Sequence, residues 1–319
     1  MKTGAAVAVI AGLIVLTGLV AWRGFDTVAQ TMAVAGWQVL WLPAWYAVPV
    51  VLSALAWRSL FPSAEMPRVA VTAMASWIGH SVNWLLPVAQ IGGEVVKARL
   101  VIKARVNSSV AMASVVVDKF VQAATQALYA LIGVALLVAH GGDERVLIGT
   151  LVFVGALTLG LIGFYRVQVG RPMAFVARFA GRFAPALKGD GGNGVDEALI
   201  EIYRRRRDVL AAAAWRMAFR FAVAVEVWLA LQFLGHPITL VEAIILESLG
   251  QAIRGAAFMV PGGLGIQEGG FMILGAAIGL DPSVGLSLSL CKRVRELGVG
   301  IPGLIAWQAA EGRYLVARR

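Results

Sequence analysis

Apolar stretches of about 20 residues, the length that crosses the hydrocarbon core of a bilayer, recur along this 319-residue chain and fix its class before any motif is read. The runs cover residues 4–22, 34–57, 109–139, 146–167, 210–234 and 283–307. Only 14% of residues are charged, against about 25% in ordinary soluble domains. No polar stretch is long enough to enclose a separate water-soluble core, so residues 1–319 read as one all-α, polytopic membrane domain. Lys2 precedes the first run, but the run is long and no clean Ala-x-Ala site follows, which predicts a retained span and not a secretory signal. Cys291 is the single cysteine, which excludes an internal disulfide and a cysteine metal cluster. His80 and His236 have no Glu or Cys at ligand spacing, so neither a metal nor a cofactor is expected.

Two segments break the apolar pattern in the same way. Pro87-Val-Ala-Gln-Ile-Gly92-Gly93-Glu94 is answered 174 residues later by Pro261-Gly262-Gly263-Leu-Gly265-Ile-Gln267-Glu268. The same offset carries Asp118-Lys119 onto Lys292-Arg293. Backbone that leaves a helix at membrane depth must be covered by protein or line a cavity, and paired interruptions in two halves point to a transporter's binding site. The pattern predicts two re-entrant hairpins, 69–94 and 240–280, inside repeats spanning 34–139 and 210–307. Basic residues gather on 97–105, on the insert 168–208 and on the tail with Arg313, Arg318 and Arg319. The positive-inside rule then places both termini in the cytoplasm and inverts the second half relative to the first.

Charges inside or beside the apolar runs carry the chemistry. An unpaired charge at mid-bilayer costs about 2.5–3.5 kcal/mol even on the lenient insertion scale, so Arg216, Arg220, Glu226 and Glu247 and their fellows must face one another or water. Spacing suggests a Lys292–Glu296 pair and a shared face for Glu247, Gln251 and Arg254. Any one pair has a bland explanation as a structural lock between helices. The matched placement favours a central polar site, with Glu94, Asp118, Lys119, Arg254, Glu268, Lys292, Arg293, Arg295 and Glu296 as the candidate substrate-binding residues. Pro87, Gly92, Gly93, Pro261, Gly262, Gly263, Gly265 and Gln267 form the turns around it. The cations and the amides at the helix breaks suit a phosphate or carboxylate; the two glutamates pair with those cations or carry a coupling proton.

The insert 168–208 reads as a cytoplasmic connector whose arginines set orientation. Phe175, Phe179 and Phe183 with Arg178 and Arg182 also fit an amphipathic helix touching anionic lipid headgroups. Trp22, Trp37, Trp41, Trp45, Trp57 and Trp307 read as interfacial belt residues.

The stretch Pro261 to Gly270, the upstream Pro87 to Glu94, the Val-Val-Val-Asp118-Lys119 segment and Lys292-Arg293-Val-Arg295-Glu296 together resemble the flippase-like membrane proteins related to the transmembrane region of lysylphosphatidylglycerol synthases. The closing stretch is most similar to a subgroup associated with bacterial hopanoid biosynthesis. The first motif departs from the family's usual Pro-x-x-x-Gly-Gly-x-Gly-Glu form in having Gln90 and Ile91 before its glycines. The resemblance implies a bacterial membrane protein that moves or handles a lipid, a hopanoid or an anionic or aminoacylated phospholipid, and the inverted halves add the geometry of alternating access in an inner membrane. Anionic headgroups at the cytoplasmic face, a second copy of the chain and lipid-biosynthesis enzymes are the partners it implies, with no nucleic acid. Enzymatic activity is not expected, because aminoacyl transfer needs a soluble catalytic domain and no nucleophile–base set is legible. A carrier of small polar or anionic solutes and a non-transporting scaffold for lipid biosynthesis are the alternatives.

Overall fold

The chain's apolar runs become helices that pack through a small number of close contacts. The computed structural model describes residues 33–86, 91–139, 155, 193–256 and 265–316, and among them there is no strand. The helices are α1 (Ala33–Arg58), α2 (Val69–Leu85), α3 (Gly92–Lys103), α4 (Ser108–Ala139), α5 (Asn193–Arg204), α6 (Arg206–Phe233), α7 (Leu240–Ala256), α8 (Ile266–Ala277) and α9 (Pro282–Val316). The expected spans 4–22 and 146–167, most of the insert with its phenylalanine series, the end of the tail, and Pro87, Pro261, Gly262 and Gly263 lie outside the described residues. Helices α1 and α4 are each long and apolar enough to cross a membrane by themselves. α6 and α9, of 28 and 35 residues, have the length but carry buried charges.

Element lengths recur between the halves. α2 and α7 have 17 residues each, and α3 and α8 have 12 each. The local stop and start signals recur as well. After α3, Arg105 takes a left-handed φ of 72° and the Val106 amide donates to the Val101 carbonyl; after α8, Gly279 takes 85° and Leu280 donates to Gly275. Both are helix-ending turns that return an amide to an orphan carbonyl. The next helix then begins the same way, with Asn107 Oδ1 accepting from Ser109 N at 2.8 Å and Asp281 Oδ1 from Ser283 N at 2.7 Å.

Packing follows the same doubling. α2 packs on α3 as α7 packs on α8, and α3 on α4 as α8 on α9. Across the halves α2 lies against α9 and α7 against α4, while α1 and α6 pack on each other. The close approaches are at glycines: a Cβ on Gly79 would meet the Lys97 stem at 2.7 Å, and one on Gly250 would meet the Phe271 ring at 3.0 Å. α5 is amphipathic, burying Val195, Leu199 and Ile202 in the cluster with α1, α3 and α4.

Two differences from the sequence reading have plain causes. The first hairpin's return arm continues as a helix past Glu94 to Lys103, taking Lys97 out of the expected polar connection and into the interior, where it is 4% exposed. Trp57 is fully buried instead of interfacial, because its Nε1 donates to Ser114 Oγ at 3.1 Å and its ring lies under the Lys97 ammonium at 4.6 Å. The second cause sits across two other helices, out of reach of local pattern.

Arg105 is exposed and holds a backbone conformation that glycine occupies in the other half. Replacing Arg105 by Gly removes strain of about 1 kcal/mol, so the purified protein should melt at a higher temperature in detergent; an unchanged or lower melting temperature would contradict this account.

Candidate functional site

Helices α2, α4, α6 and α7 enclose a cavity of about 620 Å³, within the size range of small-molecule sites. Five cations reach it, Lys119, Arg216, Arg220, Arg254 and Arg295, against two carboxylates, Glu94 and Glu247. One wall is a run of flat groups: His80 stacks between Trp84 at 5.4 Å and Phe219 at 6.2 Å, and the Arg295 guanidinium lies 4.7 Å from Trp84 and 4.3 Å from Tyr46. Such faces hold a cation by quadrupole attraction as well as by packing.

Two ion-pair clusters flank the cavity. In the first, Lys97 Nζ donates to Glu94 at 2.9 Å and to Asp118 at 2.8 Å, Lys119 reaches Glu94 at 2.9 Å, and Arg216 grips Asp118 at 2.6 Å. Arg216 Nη1 also donates to Ser53 Oγ, whose hydroxyl contacts His80 Nε2 at 3.2 Å. The second cluster joins α6, α7, α8 and α9. Lys292 pairs with Glu247 at 2.7 Å, Arg295 with Glu226 at 3.0 Å, Arg254 with Glu296 at 2.7 Å, and Arg293 with both Glu268 at 3.0 Å and Glu296 at 2.8 Å. Lys292 and Glu296 are therefore not partners: each reaches across to α7, because both are buried and a neighbouring helix offers better-aimed groups.

The two turn glutamates occupy matched places. Glu94 and Glu268 are each the third residue of a helix, where the amide dipoles favour a negative charge. Each takes a cation from the following long helix, Lys119 or Arg293, at corresponding positions. Glu268 also accepts from the Gly265 amide at 2.7 Å, where φ is 80°. The second residues differ in their contacts: the Gly93 amide donates to Asn83 Oδ1 at 2.8 Å, whereas the Gln267 side chain accepts from Arg254 at 2.8 Å. The pairs differ in surroundings. Glu94 and Lys119 open on the cavity, with Lys119 35% exposed; Glu268 is fully enclosed, Arg293 is 15% exposed, and neither lines the cavity.

Of the sequence candidates, Glu94, Lys119, Arg254 and Arg295 thus reach the cavity, and Asp118, Glu268, Lys292, Arg293 and Glu296 stand behind it. The sequence reading left out of its site His80, Trp84, Gln122, Gln126, Tyr129, Arg216, Arg220 and Glu247, all on the wall. Gln122, Gln126 and Tyr129 share one face of α4 at helical spacing, which is the signal that identifies them.

A model of the family described as the lysylphosphatidylglycerol synthase TM region matches residues 5–303. A UPF0104 membrane protein of Pyrococcus horikoshii is 21% identical over 316 residues, covering 93% of each chain. No solved structure matches.

The Lys292–Glu247 pair provides a test of the pairing logic, since both side chains are 1% exposed. Lys292→Met alone strands a buried carboxylate and should cost about 3–5 kcal/mol. Lys292→Met with Glu247→Met should regain most of that loss, read as melting temperature in detergent; a double variant as unstable as the single one would sink the assignment.

Proposed function

The chain belongs to the family of the lysylphosphatidylglycerol synthase transmembrane region, and from that membership we propose that this membrane protein moves a lipid between leaflets by alternating access around the charged cavity. The observation that carries the proposal is the unequal state of two matched ion pairs. Glu94–Lys119 opens on the cavity, whereas Glu268–Arg293 does not line it and has its carboxylate fully buried. In an inverted repeat the two halves exchange such states, so the enclosed pair opens when the other closes. The doubled helix lengths, caps and packing support that repeat, with 69–94 and 240–280 entering as hairpins from opposite faces. Basic connections favour cytoplasmic termini in an inner membrane and attract anionic headgroups, at about 1 kcal/mol per basic residue near the surface.

The cargo is a lipid with a charged or polar head, an anionic or aminoacylated phospholipid or a polar hopanoid, whose tails stay in the bilayer. A carrier of small anionic solutes draws support from the polar wall, and a scaffold for lipid-biosynthesis enzymes, as a homo-oligomer or with them, stands behind both. Catalysis is not part of the proposal: the Ser53–His80 contact has its serine behind the wall, bonded to Arg216, and out of reach of a cavity ligand.

The test is dithionite quenching of tail-labelled phosphatidylglycerol in proteoliposomes. The wild type should speed leaflet exchange above empty vesicles, and Glu94→Gln and Glu268→Gln should each lower the rate at least about tenfold, because each removes the charge that a matched cation is held against. Exchange equal to that of empty vesicles, or unaffected by both substitutions in folded protein, would overturn the proposal.

A further inference from the structure

Four of the cavity's five cations are committed to carboxylates. Lys119 pairs with Glu94, Arg216 with Asp118, Arg254 with Glu296 and Arg295 with Glu226. Arg220 differs. Its Nη1 donates to Gln126 Oε1 and its Nη2 to the Gln122 carbonyl at 2.6 Å, and no carboxylate lies in ion-pair reach among the described residues. The Gln126 amide is itself oriented, since Nε2 donates to the Ser248 carbonyl at 3.2 Å. Neutral acceptors from α4 therefore aim the guanidinium without offsetting its charge. That is a costly arrangement in an interior where every neighbouring cation has an anion.

The remaining donors on that side are also unused. Among the described residues Arg220 Nε has no hydrogen-bond partner, and neither does the hydroxyl of Tyr129, a fully buried residue one turn beyond Gln126 on the same face of α4. Arg295 Nη1, on a side chain 1% exposed, is the third. All three side chains line the cavity. Guanidinium and hydroxyl donors suit an oxyanion, and the two carboxylates on the cavity, Glu94 and Glu247, are already held by Lys119 and Lys292.

We infer that Arg220 and Tyr129 form an oxyanion site for a phosphate group, with Arg295 Nη1 as a further donor. A cavity of about 620 Å³ far exceeds one phosphate, so the phosphate is one end of a larger ligand, and the phosphodiester of a lipid headgroup fits the rest. That identification rests on the lipid-moving function proposed above, whereas the oxyanion site itself does not. The site also sorts cargo: a lipid head without an anion leaves the guanidinium unneutralised and binds weakly.

The experiment uses the full chain in detergent and measures binding of dioctanoyl phosphatidylglycerol, inorganic phosphate and dioctanoylglycerol to wild type, Arg220→Gln and Tyr129→Phe. Wild type should bind the phospholipid and not the diacylglycerol. Arg220→Gln should weaken phospholipid binding by about tenfold or more, and Tyr129→Phe by about threefold. Without ligand, Arg220→Gln should melt no lower than wild type, because it removes an unneutralised charge; a merely structural arginine would lower the melting temperature. Phosphate bound through Arg220 with no phospholipid binding would keep the site and remove the lipid reading. Phospholipid binding unchanged in both variants would remove the site and keep the lipid reading. A wild type that binds neither anion overturns the site, and if Arg220→Gln fails to fold, Tyr129→Phe decides.

Discussion

Neutralisation of charge away from water governs this architecture. Helices α6 and α9 carry Arg216, Glu226, Lys292, Arg295 and Glu296 at exposures of a few per cent or less, and none of these charges is tolerable facing hydrocarbon. Each finds its partner on another element, so the ion pairs specify which helix lies beside which. Asp118 joins α3, α4 and α6; Glu226 joins α6 to α9; Glu247 and Arg254 join α7 to α9. Apolar packing in a membrane gains little by itself, because lipid tails are as apolar as leucine. Polar pairing and close contact of small residues supply the specificity that hydrophobic burial supplies in water.

Small residues make those pairs reachable. Gly79 lets the Lys97 stem cross α2 and deliver its ammonium to Glu94 and Asp118. Gly93 approaches the Gly79 carbonyl so closely that a side chain there has no room. At the corresponding place in the second half, Gly250 accommodates the Phe271 ring, and the Lys292 ammonium lies 5.6 Å from it. The geometry is kept while the chemistry changes from ammonium stem to aromatic ring.

Much of this was legible in the sequence where the signal was local or repeated. The Pro87-to-Glu94 echo located Glu94 and Glu268, and the charged pairs Asp118-Lys119 and Lys292-Arg293, which begin 24 residues after those glutamates, located Lys119 and Arg293. The cap pair Asn107 and Asp281 lies at the same offset and reads as a helix start in both places. What escaped depended on distant partners. Lys97 resembles its basic neighbours Arg99, Lys103 and Arg105, and besides Glu94 it is Asp118, 21 residues on, and the Trp57 ring, on another helix, that hold it inward. Arg216 and Asp118 are 98 positions apart, as are Arg220 and the Gln122 carbonyl that holds it. Lys292 and Glu296 illustrate the converse: ideal helical spacing promised a pair, and better-placed groups on α7 took both.

The duplication is also chemically uneven in a way that bears on two-state behaviour. Position 118 is an acid and its counterpart 292 a base, and the first cluster, to which the second half lends Arg216, gathers two carboxylates around three cations while the second cluster balances four against four. A repeat with identical charges would offer two arrangements of equal energy. Here the first cluster carries a surplus cation and the exposed Lys119 while the second is balanced, although each presents three charged side chains to the cavity, Glu94, Lys119 and Arg216 from the first and Glu247, Arg254 and Arg295 from the second. An anionic ligand beside the first cluster offsets that surplus. Differential binding of this kind is what a ligand must supply to shift a conformational equilibrium, and it follows here from which residues at matched positions were kept alike and which were inverted in charge.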